Sequence, residues 1–154
     1  MDYSDRPGLR VLVAEDNYDA AETLARLLRR GGHAVRVATD GHQAVADALD
    51  DPPDVVLVDI GLPRLDGWEV ARRIQKGLGQ RPCLMIAVTG YDHADDRVRS
   101  RQAGIHLHLT KPVDPGALGT LLDHYDPPAL WTAVVSAGQG PGGRPASPAG
   151  SAPA

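Results

Sequence analysis

The sequence predicts an α/β fold in which a parallel sheet is covered by helices on both faces, and three observations carry that expectation. Short apolar runs recur along the chain, at Val11 to Ala14, Ala34 to Val37, Val55 to Val58, Cys83 to Val88 and Ile105 to Leu109. Amphipathic stretches of helical period lie between them, so strand and helix alternate. The runs at Val11, Val55 and Leu84 are continuous rather than alternating, the mark of parallel strands buried on both sides. Arg36 and the pair His106 and His108 put their own strands nearer an edge.

The helical stretches follow in order. Ala20, Ala21, Leu24, Leu27 and Leu28 recur at three- and four-residue steps, with Asn17 placed to cap and Gly31-Gly32 to stop. A weaker stretch surrounds Val45 to Leu49. Val70, Ala71 and Ile74 repeat the helical pattern behind Asp66-Gly67, a turn into the helix in which glycine is expected for its backbone freedom. Trp68 reads as a partly exposed packing residue. The stretch from about Ala94 to Gln102 is dominated by Asp95, Asp96, Arg97, Arg99 and Arg101, with only Ala94 and Val98 to bury, so its packing should be thin and its displacement cheap. The last helix is announced by Asp114 as cap and Pro115 at the first helical position, and turns Leu118, Leu121 and Leu122 inward.

A chain of 154 residues with an apolar share of 42% has room for one ordinary core. The expected division is a short extension over residues 1–8, a folded domain over 9–125 and a tail over 126–154. The tail has Pro127-Pro128, a brief apolar piece from Ala129 to Val135, then Gly, Pro, Ser and Ala with Arg144 as its only charge. That is too little apolar surface to offset ordering entropy, so disorder is expected from about Ser136. The net charge of −4 gives no basic footprint for nucleic acid or anionic lipid. No apolar stretch could serve as a signal peptide or span a bilayer, which points to the cytoplasm. Cys83, the only cysteine, excludes an internal disulfide and a thiolate zinc site, and reads as a small buried hydrophobe. His106 and His108 share a strand face and could in principle pair on a transition metal. His33, His42, His93 and His124 have no ligand spacing and read as surface residues.

The chemistry gathers where the strands end. In a doubly wound sheet, side chains just past the carboxyl ends of the strands converge on one crevice. Glu15-Asp16 follow the first strand, Asp59 the third, Thr89 the fourth and Lys111-Pro112 the fifth. Clustered carboxylates suppress one another's ionisation unless a cation intervenes. Mg²⁺ suits such a site, with Asp16 and Asp59 as direct ligands, Glu15 acting through water and the Gly61 backbone carbonyl completing the shell. Asp59 can then attack a phosphoryl group as a carboxylate nucleophile. Lys111 can read a phosphoryl oxygen as a point charge, and Thr89 can donate its hydroxyl to another, pulling with it the loop that leads to the next helix.

Val-Leu-Val-Ala-Glu15-Asp16-Asn17, Val-Val-Leu-Val-Asp59-Ile-Gly-Leu-Pro63 leading to Asp66-Gly67, Ala-Val-Thr89-Gly and Leu-Thr-Lys111-Pro112 together closely resemble the receiver domain of bacterial two-component response regulators. The resemblance runs from Leu9 to about Tyr125. It implies a flavodoxin-like five-stranded sheet of order 2-1-3-4-5, five helices, phosphorylation at Asp59, a Mg²⁺ requirement and a peptide bond before Pro112 that is often cis. It implies, further, a sensor histidine kinase or histidine phosphotransfer protein as donor and self-catalysed transfer and hydrolysis rather than enzymatic turnover. The output would be an unknown downstream protein, or a homodimer formed on phosphorylation.

The family's usual Tyr or Phe three residues before the lysine is here His108, to which the resemblance assigns the second switch role, with a smaller packing change than a large ring would give. Gly61, two after Asp59, leaves one side of the phosphoryl group open, and Tyr91, two after Thr89, is placed to shade it from water; both would tune its lifetime. Two other readings compete. A haloacid-dehalogenase-like hydrolase would need a second Asp at position 61, which is Gly. A receiver-like module that binds proteins without phosphorylation would have no use for the complete acidic set.

Overall fold

The computed structural model describes residues 8–90 and 94–127, the side chains of 94 and 95 apart. The chain alternates β1 (Arg10–Ala14), α1 (Tyr18–Arg30), β2 (Ala34–Ala38), α2 (Gly41–Asp50), β3 (Val55–Asp59), α3 (Gly67–Leu78), β4 (Leu84–Thr89), α4 (Ala94–Gln102), β5 (Leu107–Thr110) and α5 (Pro115–His124). The sheet has five strands in the order β2-β1-β3-β4-β5, all parallel, as the sequence predicts. The register pairs Val11 with both Val35 and Val55, Val55 with Leu84, and Ile86 with Leu107.

The continuous apolar runs feed two cores, because successive strand side chains point to opposite faces. Leu12, Val56, Val58, Met85 and Ala87 face one layer with Ala44 and Ala48 of α2 and Val70, Ala71 and Ile74 of α3. Val11, Val13, Val55, Leu57, Ile86 and Val88 face the other with Ala21, Ala25 and Leu28 of α1 and Leu118 and Leu122 of α5. Cys83 is buried, and burial pushes its thiol up to about 12, so it behaves as an inert core residue.

Local signals set the helix ends. The Asn17 side chain accepts from the Ala20 amide, Asp66 from Glu69 and Asp114 from Gly116, and Pro115 opens α5. Asp40 caps α2 by accepting from Gln43, the local signal that starts this weaker helix.

Several expectations are corrected. In α1 the core face is Ala21, Ala25 and Leu28, while Ala20 and Leu27 are exposed. Ile105 is buried but precedes β5, which runs one residue past Leu109. Val98 of α4 is 46% exposed, so the helix does not bury it; among the described side chains of α4 the buried one is that of Ser100. Gly67 is not at positive φ. A Cβ there would lie 2.6 Å from the Asp59 carbonyl oxygen and 2.7 Å from the Ile60 Cα, so it is close approach, not backbone freedom, that demands glycine. The tail from residue 128 onward lies outside the described residues.

His33 is more than a surface residue, and His106 has a role other than metal binding. Each precedes an edge strand, and each ring accepts a backbone hydrogen bond through Nδ1: from the Leu9 amide to His33 at 3.0 Å and from the Met85 amide to His106 at 3.0 Å. The backbone returns the tie, Ala34 N donating to the Leu9 carbonyl and His106 N to that of Met85. His106 thus serves the sheet rather than a metal. A protonated Nδ1 cannot accept, and burial holds both rings below the usual histidine value, with the Asp123 charge opposing this in part at His33. The folded state therefore takes up these protons less readily than the unfolded chain. This contribution to stability is complete above about pH 6.5 and is lost as the pH falls below it. Thermal unfolding should be flat between pH 7 and 8 and lose about 4–8 °C of Tm on acidification to pH 5, for roughly 1 kcal/mol of hydrogen bonding. His33→Gln with His106→Gln should flatten that slope; an unchanged slope in the double variant would refute the assignment.

Candidate functional site

The carboxyl ends of β1, β3 and β5 meet at one edge. Glu15 follows β1 directly and is buried, and its backbone amide is tied to the Ala38 carbonyl of β2. One carboxylate oxygen of Glu15 accepts from the Asn17 amide at 3.1 Å and the other from Lys111 Nζ at 2.9 Å. Asn17 therefore caps α1 with its side chain and holds Glu15 with its backbone.

Asp59 ends β3. Its Oδ1 accepts from the Gly61 amide at 2.9 Å and its Oδ2 from Lys111 Nζ at 3.1 Å. Carboxylate oxygens of Glu15, Asp16 and Asp59 lie within 4.8 Å of one another. The Glu15 and Asp59 side chains are only 11% and 12% exposed against 38% for that of Lys111, so the ammonium reaches two sheltered carboxylates from the solvent side.

The electrostatics follow from that geometry. Burial raises the Glu15 carboxyl above its ordinary value, assisted by Asp16 and Asp59 and opposed by Lys111 and the Asn17 amide. Burial works against the Lys111 ammonium, but its hydrogen bonds to Glu15 and Asp59 and their charges outweigh it, and its value rises. Lys111 stays charged and is the cation that lets two acidic groups coexist.

Thr89 ends β4, half-buried, and its carbonyl accepts from the Lys111 amide at 2.7 Å, which locks the fourth and fifth strand ends together. The Lys111-Pro112 bond is cis, as the resemblance implies. His108 is half-buried in β5 and pairs with Ala87, which puts it on the sheet face covered by α2 and α3. A Cβ at Gly61 would rest 3.6 Å from Asp59 Oδ1, so there is space beside the carboxylate. Tyr91 lies outside the described residues. A cleft of about 740 Å³ opens from Glu15, Asp59 and Lys111 between α1 and α5, walled by apolar Leu24, Leu27 and Val113.

Comparison with known proteins decides the family. The profile of the response regulator receiver domain matches residues 11–123. The chain belongs to the response regulator receiver family. This receiver is 36% identical over 109 residues to protein PilH of Pseudomonas aeruginosa, covering 71% of the chain and 90% of PilH. It is also 36% identical to response regulator MprA of Mycolicibacterium vanbaalenii over 68% of the chain, though it spans only 44% of MprA. Among solved structures, it superposes with a TM-score of 0.67 and 33% identity on the receiver domain of a Pseudomonas aeruginosa sensor histidine kinase. That structure has a magnesium ion coordinated in its active-site cleft, and the match covers 77% of this chain and 97% of that one. A CheY-like receiver from Methanospirillum hungatei shares the fold at a TM-score of 0.70 and 24% identity, covering 86% of this chain and 100% of the other. The receiver thus belongs to two-component signalling and is not an enzyme in the ordinary sense. Among the described residues, no helix is long and apolar enough to cross a membrane.

Proposed function

We propose that this receiver accepts a phosphoryl group on Asp59 from a phosphohistidine, carried by a sensor histidine kinase or a histidine phosphotransfer protein, and changes its protein contacts as a result. The observation that supports this most is the position of Lys111 Nζ, within 3.1 Å of Asp59 and 2.9 Å of Glu15. It is a cation already held where a new phosphoryl oxygen would arrive.

In the proposed step, a lone pair of the Asp59 carboxylate attacks phosphorus. The P–N bond to the donor imidazole breaks, its electron pair stays with the ring nitrogen, and an aspartyl phosphate is left behind. Lys111 exchanges part of its carboxylate pairing for the phosphoryl oxygen, while the Gly61 amide keeps the Asp59 side chain oriented. Thr89 supplies the hydroxyl that follows the phosphoryl group, and His108 adjusts in β5. Asp16 and Asp59, with Glu15 behind them, form a set of hard oxygen donors of the size and type Mg²⁺ takes. When bound, Mg²⁺ neutralises charge on the transferring oxygens.

Incubation with labelled acetyl phosphate should give Mg²⁺-dependent incorporation that disappears with chelator, and Asp16→Asn should cut it at least tenfold. Incorporation that is indifferent to both chelator and Asp16→Asn would overturn the reading.

A further inference from the structure

The helix nearest the proposed switch is held by an unusual kind of contact. α4 begins five residues after Thr89, exposes Val98 and buries a polar residue, Ser100, at 1% exposure. The partner of Ser100 comes from α3: Trp68 Nε1 donates to its Oγ at 2.9 Å. The guanidinium of the adjacent Arg99 lies over the Trp68 ring, 4.0 Å from its centroid, and also reaches Asp66 at 3.8 Å, the residue that caps α3. One turn of α4 is thus fastened to the first turn of α3 by a directional hydrogen bond and a stacked cation. Wherever apolar burial anchors the other helices, the loss of contact on sliding is gradual; a single hydrogen bond is either made or broken.

We propose that Trp68 is a positioning residue, a latch that holds α4 in its resting place through Ser100 and Arg99 and that lets go when the receiver is phosphorylated. This rests on the phosphoacceptor reading above and adds to it the contact that sets the resting state. Two features support a latch over a plain brace. The Trp68 hydrogen bond is accepted by a side-chain hydroxyl, which can both donate and accept and so can find another partner after the helix shifts. Asp66, beside Arg99, starts the same helix whose first residue, Gly67, packs on the Asp59 carbonyl, so the latch and the phosphoacceptor share one turn of backbone.

The test is hydrogen exchange across residues 96–103 in the full chain, with and without beryllofluoride and Mg²⁺, for wild type, Trp68→Phe, Ser100→Ala and the double variant. In the resting form each single variant should speed exchange about fivefold to tenfold, the size of one neutral hydrogen bond, and the double variant should add little to either. In the beryllofluoride form all four should exchange alike. No acceleration at rest, or equal acceleration in both forms, overturns the latch, the second result leaving Trp68 a structural brace. Failure of beryllofluoride to bind wild type overturns the phosphoacceptor reading itself and the latch's regulatory role with it, an outcome distinct from the other two.

Discussion

Replacing Lys111 with alanine should lower the stability of the metal-free receiver and make what remains depend strongly on Mg²⁺. In the wild type one ammonium serves Glu15 and Asp59, whose side chains are 11% and 12% exposed. Without it, two sheltered carboxylates and Asp16 confront one another within 4.8 Å. Removing one partner of a fully buried ion pair costs about 3–5 kcal/mol; because Lys111 is itself 38% exposed, we expect about 1–2 kcal/mol, or ~4–16 °C in Tm. Added Mg²⁺ takes over the lost positive charge, so the Tm gain on titrating Mg²⁺ should be larger in Lys111→Ala than in wild type. Differential scanning calorimetry at several Mg²⁺ concentrations reads both quantities. Equal metal-free stability, or an equal Mg²⁺ response, would mean that Lys111 is not the resident counter-charge.

The second large effect is expected at Gly67. Its amide donates to the Ile60 carbonyl at 3.0 Å, and a Cβ would meet the Asp59 carbonyl oxygen at 2.6 Å and the Ile60 Cα at 2.7 Å. Both obstacles are backbone, and neither can rotate aside. Gly67→Ala should cost about 1–3 kcal/mol by overpacking, and it should do so by shifting the strand end that carries Asp59. Gly61→Ala is the internal control, since its Cβ would sit at an ordinary 3.6 Å from Asp59 Oδ1. That variant should change the urea midpoint little. Similar losses in both variants would show that glycine matters here for conformation rather than for space.

Much of this architecture was legible because the strands are buried on both faces. Val55 to Val58 contributes to both cores, and such a run has few alternatives to a central parallel strand. The site was legible for a related reason: Glu15, Asp16, Asp59 and Lys111 each stand at or just past a strand end, and the parallel topology brings those ends together whatever the details of packing. Other features depend on distances that periodicity does not encode. Leu27 obeys the helical repeat of α1 as well as Leu28 does, yet it faces the cleft, because the small residues Ala21 and Ala25 are what let α1 approach the sheet. Gly67 stood out as a glycine, but its reason is a steric contact across the β3–α3 connection. The Trp68–Ser100 bond joins two helices 32 residues apart in sequence, and nothing in either local pattern announces it. Neither the isolated His33 nor the period-two pairing of His106 with His108 points to their role, and only the strand register reveals that the His33 and His106 rings each accept a backbone amide.

The cation at the strand tips explains the site only if the carboxylate beneath it is the group that takes the phosphoryl. Intact-protein and peptide mass spectrometry after incubation with acetyl phosphate and Mg²⁺ tests this most directly. One added phosphoryl group, on the peptide containing Asp59 and absent from Asp59→Asn, is the predicted result. An unmodified wild-type chain, or a modification that survives Asp59→Asn, would contradict it.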